Sequence, residues 1–239
     1  VDGSASGTVA TPLAEFDPNQ TGDVLTVDGV SYTYQVGDDL TVFVGDNTDG
    51  SLLFTTACVY GGPSNTLDDC GNVNAGITGG AVSAGASYDF GNGFSAAVGL
   101  QTLGTGLFTD ESTSDAYAFN AAYIADSYGV SFTYANVEDG TGTTEDNFTA
   151  INAYVDFEGY PSLSAGLELG DDASSTNDFD DQTTYYFVGS SMDLGPGEIG
   201  VAYGLWNGEE ENTDDEIMVE ASTIISVSYT HLTLPTIGC

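Results

Sequence analysis

The sequence predicts an all-β fold, an antiparallel up-and-down transmembrane β-barrel of which about eleven strands are present. Apolar and polar residues alternate with a period of two along most of the chain, as in strands with one apolar face. Short turns alternate with long connections, which is typical of a barrel whose two ends differ. The acidic residues concentrate in the long connections, so the apolar strand faces are nearly free of charge.

The first hairpins lie in the N-terminal quarter of the chain. Strands over 25–27 and 30–36 flank Asp28-Gly29, and Asp-Gly is a strong signal for a two-residue hairpin turn. Residues 37–39 then turn the chain into a strand over 40–44. These segments predict a small meander that leads into the larger hairpins.

Four further hairpins follow the same pattern, with tight turns near residues 92, 126, 160 and 196. The residues between these turns do not repeat, so a hairpin array explains the spacing without internal repeats. A last strand begins near residue 217. The predicted strand pairs are 82–90 with 94–101, 117–123 with 128–134, 151–157 with 163–169, and 185–194 with 199–205.

The charge of the chain is extreme. It contains 37 Asp and Glu residues and no Lys or Arg, which gives a formal net charge of −37. Such self-repulsion indicates a saline, cation-rich environment, and it argues against nucleic-acid binding, which needs a basic surface. The predicted acidic connections span 46–79, 104–114, 137–147, 171–182 and 207–215.

Alternation alone does not separate a soluble sheet from a membrane barrel, because the apolar face points to a core in one and to lipid in the other. Strand lengths near those that cross a bilayer, connections of alternating length, and tyrosines near strand ends favour the membrane. The alternative is a secreted or surface-anchored acidic β-protein, such as an adhesin or an S-layer component.

Two of the three cysteines, Cys58 and Cys70, lie in one Gly- and Asp-rich stretch. A disulfide between them is the favoured interpretation, and two free thiols are the alternative. The surrounding connection, 46–79, either folds over or into the mouth of a pore or forms a plain external loop.

The C-terminal residues 227–236 resemble the translation of a transposon-end adapter used in sequencing libraries. We therefore expect 227–239 to be an artefact and the native chain to continue differently after Ser226. His231 and Cys239 accordingly carry no functional hypothesis. The predicted division is an N-terminal loop or incomplete strand over 1–23, a barrel portion over 24–226, and this tail.

We find no catalytic constellation and expect no enzyme, no cofactor and no defined metal site, with Ca²⁺ or Mg²⁺ only as diffuse counter-ions. The face opposite the apolar one should line a water-filled pore that prefers cations over anions. For Asp89, Glu158 and Asp193 a solvated position at the rim is an equal alternative. The candidate pore-lining residues are Asp89, Asn120, Asn152, Asp156, Glu158, Glu168 and Asp193.

Three segments resemble the carbohydrate-selective outer-membrane porins of cyanobacteria, and marine members most closely: YTYQVGDDLTVFVG over 32–45, the loop between the two cysteines, and the hairpin over 81–94. The resemblance spans 24–222. It implies an outer-membrane barrel of about 16 strands. It also implies a peptidoglycan-anchoring S-layer-homology domain, absent here, and uptake of inorganic ions, including iron. A homotrimer is a candidate assembly of the parent protein, and its partners would be outer-membrane lipid, small ions and polar solutes. The lack of Lys and Arg departs from this family.

Overall fold

A computed structural model describes residues 29–60, 70–78, 82–102, 114–138, 145–171, 182–194, 197–208 and 216–225. These residues form one antiparallel sheet of eleven strands. The strands are β1 Val30–Val36, β2 Leu40–Asp46, β3 Val82–Gly91, β4 Phe94–Thr102, β5 Asp115–Ile124, β6 Tyr128–Glu138, β7 Glu145–Val155, β8 Leu163–Asp171, β9 Gln182–Leu194, β10 Gly197–Gly208 and β11 Glu216–Ile225.

The sheet confirms the predicted all-β, antiparallel up-and-down arrangement. Each strand pairs with the strands before and after it in the chain, so the order in the sheet is the order in the sequence. At one end of the sheet the connections have two or three residues, except for the seven between β7 and β8. At the other end most connections are longer, and the shortest is the six-residue connection between β6 and β7. Within the described residues no ladder joins β1 to β11, and the sheet is open there.

The turn between β3 and β4 shows how the sequence fixes the short end. Gly91, Asn92 and Gly93 all have positive φ angles, of 76°, 54° and 86°, a region that favours Gly and tolerates Asn. The Asp89 carboxylate accepts a hydrogen bond of 2.8 Å from the Gly91 N–H. The Gly-Asn-Gly sequence therefore lets the backbone reverse, and Asp89 holds the reversal.

Several strands extend beyond their predicted bounds, and β7 departs from them most. Phe157, predicted to lie in a strand, follows the end of β7 and lies in the turn, while β7 begins at Glu145 inside the connection predicted over 137–147. The reason is that β6 and β7 remain paired to their polar ends, where Glu138 lies opposite Glu145. The predicted strand over 25–27 and the segments 1–23 and 227–239 lie outside the described residues.

The two faces of the sheet differ in side-chain size and exposure. On the outer face, large apolar side chains are exposed, among them Phe119 of β5, Val130 of β6 and Ile151 of β7. On the inner face, small or polar residues such as Ala118 and Thr133 are buried. The apolar face is therefore the open one, and the covered face is the polar one.

Among the described residues there is no helix that could span a bilayer.

Candidate functional site

The connection between β2 and β3 lies on the inner face of the sheet. We call its described residues, 47–60 and 70–78, the inner loop, with a first limb over 50–60 and a second limb over 70–78. Both limbs lie against the inner-facing side chains of β4 to β8, as the contacts below show. This connection, predicted to be either a pore-mouth loop or a plain external loop, thus covers the polar face.

The first limb is held by side chains of four strands that bind its backbone. The Gly50 N–H donates to Gln101 Oε1 at 3.1 Å, and the Thr55 N–H donates to Asn120 Oδ1 at 3.0 Å. Further along, the Ala57 N–H donates to the Ser131 hydroxyl oxygen at 2.8 Å. The N–H groups of Val59 and Tyr60 both donate to the Ser164 hydroxyl oxygen, at 3.1 and 3.2 Å. These bonds satisfy loop N–H groups that have no strand partner, as buried backbone groups require.

The second limb is bound by β7, β8 and β4. Asn152 Nδ2 donates to the Cys70 carbonyl at 2.7 Å, and Gln101 Nε2 donates to the Thr78 carbonyl at 2.9 Å. Between these two contacts lies Glu168, which is only 2% exposed. Its Oε2 accepts the backbone N–H groups of Asn74 and Ala75, each at 2.9 Å, and its Oε1 accepts Asn74 Nδ2 at 2.9 Å.

A disulfide between Cys58 and Cys70 joins the two limbs, with Cα atoms 6.3 Å apart. Around it, Tyr60 and Cys70 pack with Tyr185 and Phe187 of β9 and with Ala202 of β10 in one buried apolar cluster. The disulfide therefore sits where the loop contacts the sheet, and it fixes the first limb to the second at that contact.

A second apolar cluster fills the space beneath the second limb. Ala75 and Ile77 pack against a row of buried alanines on neighbouring strands, namely Ala116, Ala118, Ala135 and Ala150. Alanine at these positions leaves room for a backbone segment between the sheet and solvent, because larger side chains would fill it. The inner loop thus seals a polar and small-residue face that the sheet alone would leave open.

Glycines let the loop backbone approach the sheet even more closely. A Cβ at Gly166 would lie 1.8 Å from the Cys70 carbonyl oxygen, and a Cβ at Gly99 would lie 2.0 Å from the Gly50 carbonyl oxygen. Both distances are below any contact that real atoms make, so the loop occupies the space of two absent side chains. The same sequence feature, small residues on the inner face, thus positions both limbs.

The candidate pore-lining residues fall into two groups. Asn120, Asn152 and Glu168 lie on the inner face, buried, and their polar atoms bind the inner loop. The other four are exposed at the short-turn end of the sheet: Asp89, Asp156, Glu158 and Asp193. Contact with pore water thus stays a prediction for the first group, whereas the second group is open to solvent in this structure.

Two cavities at the short-turn end are lined by acidic residues. One, of about 530 Å³, is bordered by Asp126, Asp156, Glu158 and Asp193, and the first limb reaches it at Val59. The other, of about 450 Å³, is bordered by Asp38, Asp39 and Asp89. Among the described residues, no group of three or more His, Cys, Asp or Glu side chains has the arrangement of a metal site.

Four inner-face residues that bind the loop are not among the predicted site residues: Ser83, Gln101, Ser131 and Ser164. Each is a polar residue at an inner-face position of an alternating strand, which is the pattern that singled out Asn120 and Asn152. Reading every polar inner-face residue as a candidate, and not only the Asn and acidic ones, would have found them.

A scan against protein-family models finds no match, and a search of curated proteins finds none either. Among solved structures the chain is similar to the anion-selective porin from Comamonas acidovorans, with 15% sequence identity and a TM-score of 0.49. The alignment covers 83% of this chain and 55% of that porin, so the chain spans about half the length of the porin.

Proposed function

We propose that this chain is part of a passive outer-membrane channel for ions and small polar solutes, with a preference for cations. The observation that carries the proposal is the inverted distribution of side chains, apolar outside and polar inside. In a water-soluble sheet the apolar face would pack against a core, whereas in a membrane barrel it faces lipid. We therefore assign membrane lipid to the outer face.

Exposed large apolar side chains occur on every strand from β1 to β10. Phe119, Val130 and Ile151 are exposed by 42%, 46% and 48%, and they lie on three adjacent strands. Soluble monomers rarely expose apolar patches larger than a few hundred Å². Strands β3 to β11 have 9 to 13 residues, which suffices to cross a hydrocarbon layer at a tilt.

The inner loop gives the proposed channel its narrow part. It lies on the polar face, held by side chains of β4 to β8, and so would reduce the space inside a closed barrel. Because the loop is anchored by hydrogen bonds along both limbs, we expect a constriction of fixed size and not a freely moving lid. The channel would accordingly conduct passively.

Cation preference is proposed from the charges that solutes would meet. Four carboxylates border the larger cavity at the short-turn end, and the chain has no Lys or Arg to balance them. Rings of carboxylates favour cations in other pores. We further propose a Gram-negative outer membrane as the location and uptake of inorganic cations as the physiological use; a cyanobacterial origin rests on the sequence resemblance alone.

The test is the reversal potential of the purified protein in planar lipid bilayers under a tenfold KCl gradient. We expect a potential of the sign given by K⁺ permeation, and we expect it to shrink in the triple variant Asp156→Asn, Glu158→Gln, Asp193→Asn. Anion selectivity in the unmodified protein would overturn the cation preference. A folded, water-soluble monomer without lipid and without conductance would overturn the channel and favour an acidic surface protein.

A further inference from the structure

The buried carboxylate of Glu168 stands out because the chain has no Lys or Arg to neutralise it. With no Lys or Arg in 239 residues, N–H and O–H groups are the donors available to a buried carboxylate. The second limb supplies them: two consecutive backbone N–H groups and one side-chain amide converge on the two carboxylate oxygens. Hydrogen bonds to a charged acceptor are roughly twice as strong as those between neutral groups.

The position of Glu168 lets these hydrogen bonds hold the middle of the second limb against the sheet. Asn74 and Ala75 lie between the contact of Cys70 with Asn152 and the contact of Thr78 with Gln101. Ala75 itself and Ile77, two residues further on, pack in the alanine-lined cluster beneath the second limb. A shift of residues 74–75 away from β8 would therefore move the second limb out of that cluster and away from the inner face of the sheet.

We propose that Glu168 is the positioning residue that fixes the second limb of the inner loop and thereby sets the width of the channel. This inference rests on the proposed channel function. The carboxylate acts by accepting three N–H groups of the limb at once. A neutral amide at this position keeps one oxygen acceptor and places an NH₂ donor against donors, so it cannot hold the limb in the same place.

The test compares Glu168→Gln with Asp171→Asn, a matched control that removes one negative charge from the exposed end of the same strand. In Glu168→Gln we expect backbone amide exchange at Asn74 and Ala75 to be about tenfold faster, since charge-assisted bonds are lost. We expect the single-channel conductance to shift from that of the unmodified protein, because the limb no longer keeps its place in the pore. Asp171→Asn should leave both quantities unchanged.

A second variant covers the case in which Glu168→Gln does not fold. Asn74→Ala keeps the carboxylate and removes only the side-chain donor, and it should accelerate exchange at residues 74 and 75 by about fivefold. Equal exchange in the variants and the control would overturn the proposal. Faster exchange with unchanged conductance would overturn it too, since the limb position would then not set the width. If the unmodified protein does not conduct, the proposed channel fails, while the exchange comparison still decides whether Glu168 holds the limb.

Discussion

Strands β1 and β6 carry similar alternating sequences, yet their burial differs completely. In β1, both faces are exposed over the whole strand, including the inner-face residues Ser31 and Thr33. In β6, the inner-face residues Ser131 and Thr133 are buried while Val130 stays exposed. The alternation decides which face of a strand is apolar, and the inner loop decides whether the other face is covered.

The comparison also separates two sources of stability. On the covered strands the inner face gains buried hydrogen bonds and apolar contacts from the loop. On β1, the inner-face residues gain the ladder to β2 and one exposed hydrogen bond, which Gln35 Nε2 donates to the Asp38 carbonyl. Identical substitutions on the two strands should therefore have different costs, and matched pairs measure what the loop contributes.

We expect the largest difference in unfolding free energy between a covered strand and β1 when a carboxylate is added to the inner face. Ala150 is fully buried in the alanine-lined cluster beneath the second limb, whereas Thr33 is exposed. Ala150→Glu would place an unpaired charge in that cluster, and we expect it to lower the free energy of unfolding by about 3–5 kcal/mol. Thr33→Glu adds the same charge on β1 and should change it by about 0.5 kcal/mol or less. Urea unfolding in lipid vesicles, followed by circular dichroism, measures both; equal losses would mean that the loop does not cover the inner face.

A smaller difference is expected for glycine substitutions. Gly166→Ala would force the Cys70 carbonyl away from β8, since the new Cβ would lie 1.8 Å from its oxygen. The expected loss is about 1–3 kcal/mol, the usual cost of overpacking. Gly37→Asn is the matched change in the turn after β1, where φ is 72° and a Cβ meets nothing within 4 Å. Asn tolerates this conformation, so the thermal unfolding midpoint of Gly37→Asn should stay close to that of the unmodified protein.

The same comparison explains which parts of the fold the sequence could predict. Period-two alternation and Gly-, Asn- and Asp-rich turns predict the strands and their apolar faces, because these depend on neighbouring residues alone. The end of β7 was misplaced at Phe157, since an aromatic residue continues the alternation although the ladder to β6 and β8 has ended.

The position of the inner loop was not predictable in this way. Ser31 and Ser131 are alike in sequence context, and only the fold brings Ala57 to one of them. The sheet side chains bind mostly backbone atoms of the loop. Nearly every residue has the same backbone groups, so the loop sequence does not indicate which of its residues will be bound. For the same reason the sequence predicts Glu168 as a pore-lining acid, although its partners are two peptide N–H groups and one side-chain amide, 93 and 94 residues away.

We expect the smallest difference in unfolding free energy when the serine hydroxyl is removed from β6 or from β1. Ser131→Ala removes the acceptor of the Ala57 N–H, which is buried under the loop, and should cost about 1 kcal/mol. Ser31→Ala removes an exposed hydroxyl on β1 and should cost about 0.5 kcal/mol or less. Amide exchange at Ala57 provides the local measurement: it should accelerate in Ser131→Ala and remain unchanged in Ser31→Ala. If exchange at Ala57 stayed slow without the Ser131 hydroxyl, the limb would be held chiefly by its contacts with Asn120 and Ser164, on either side of Ala57. The first limb would then be one cooperative unit and not a series of independent contacts. The inner face of β6 would be buried, and that of β1 exposed, because the whole limb covers β6 and not because of the Ser131 hydrogen bond alone.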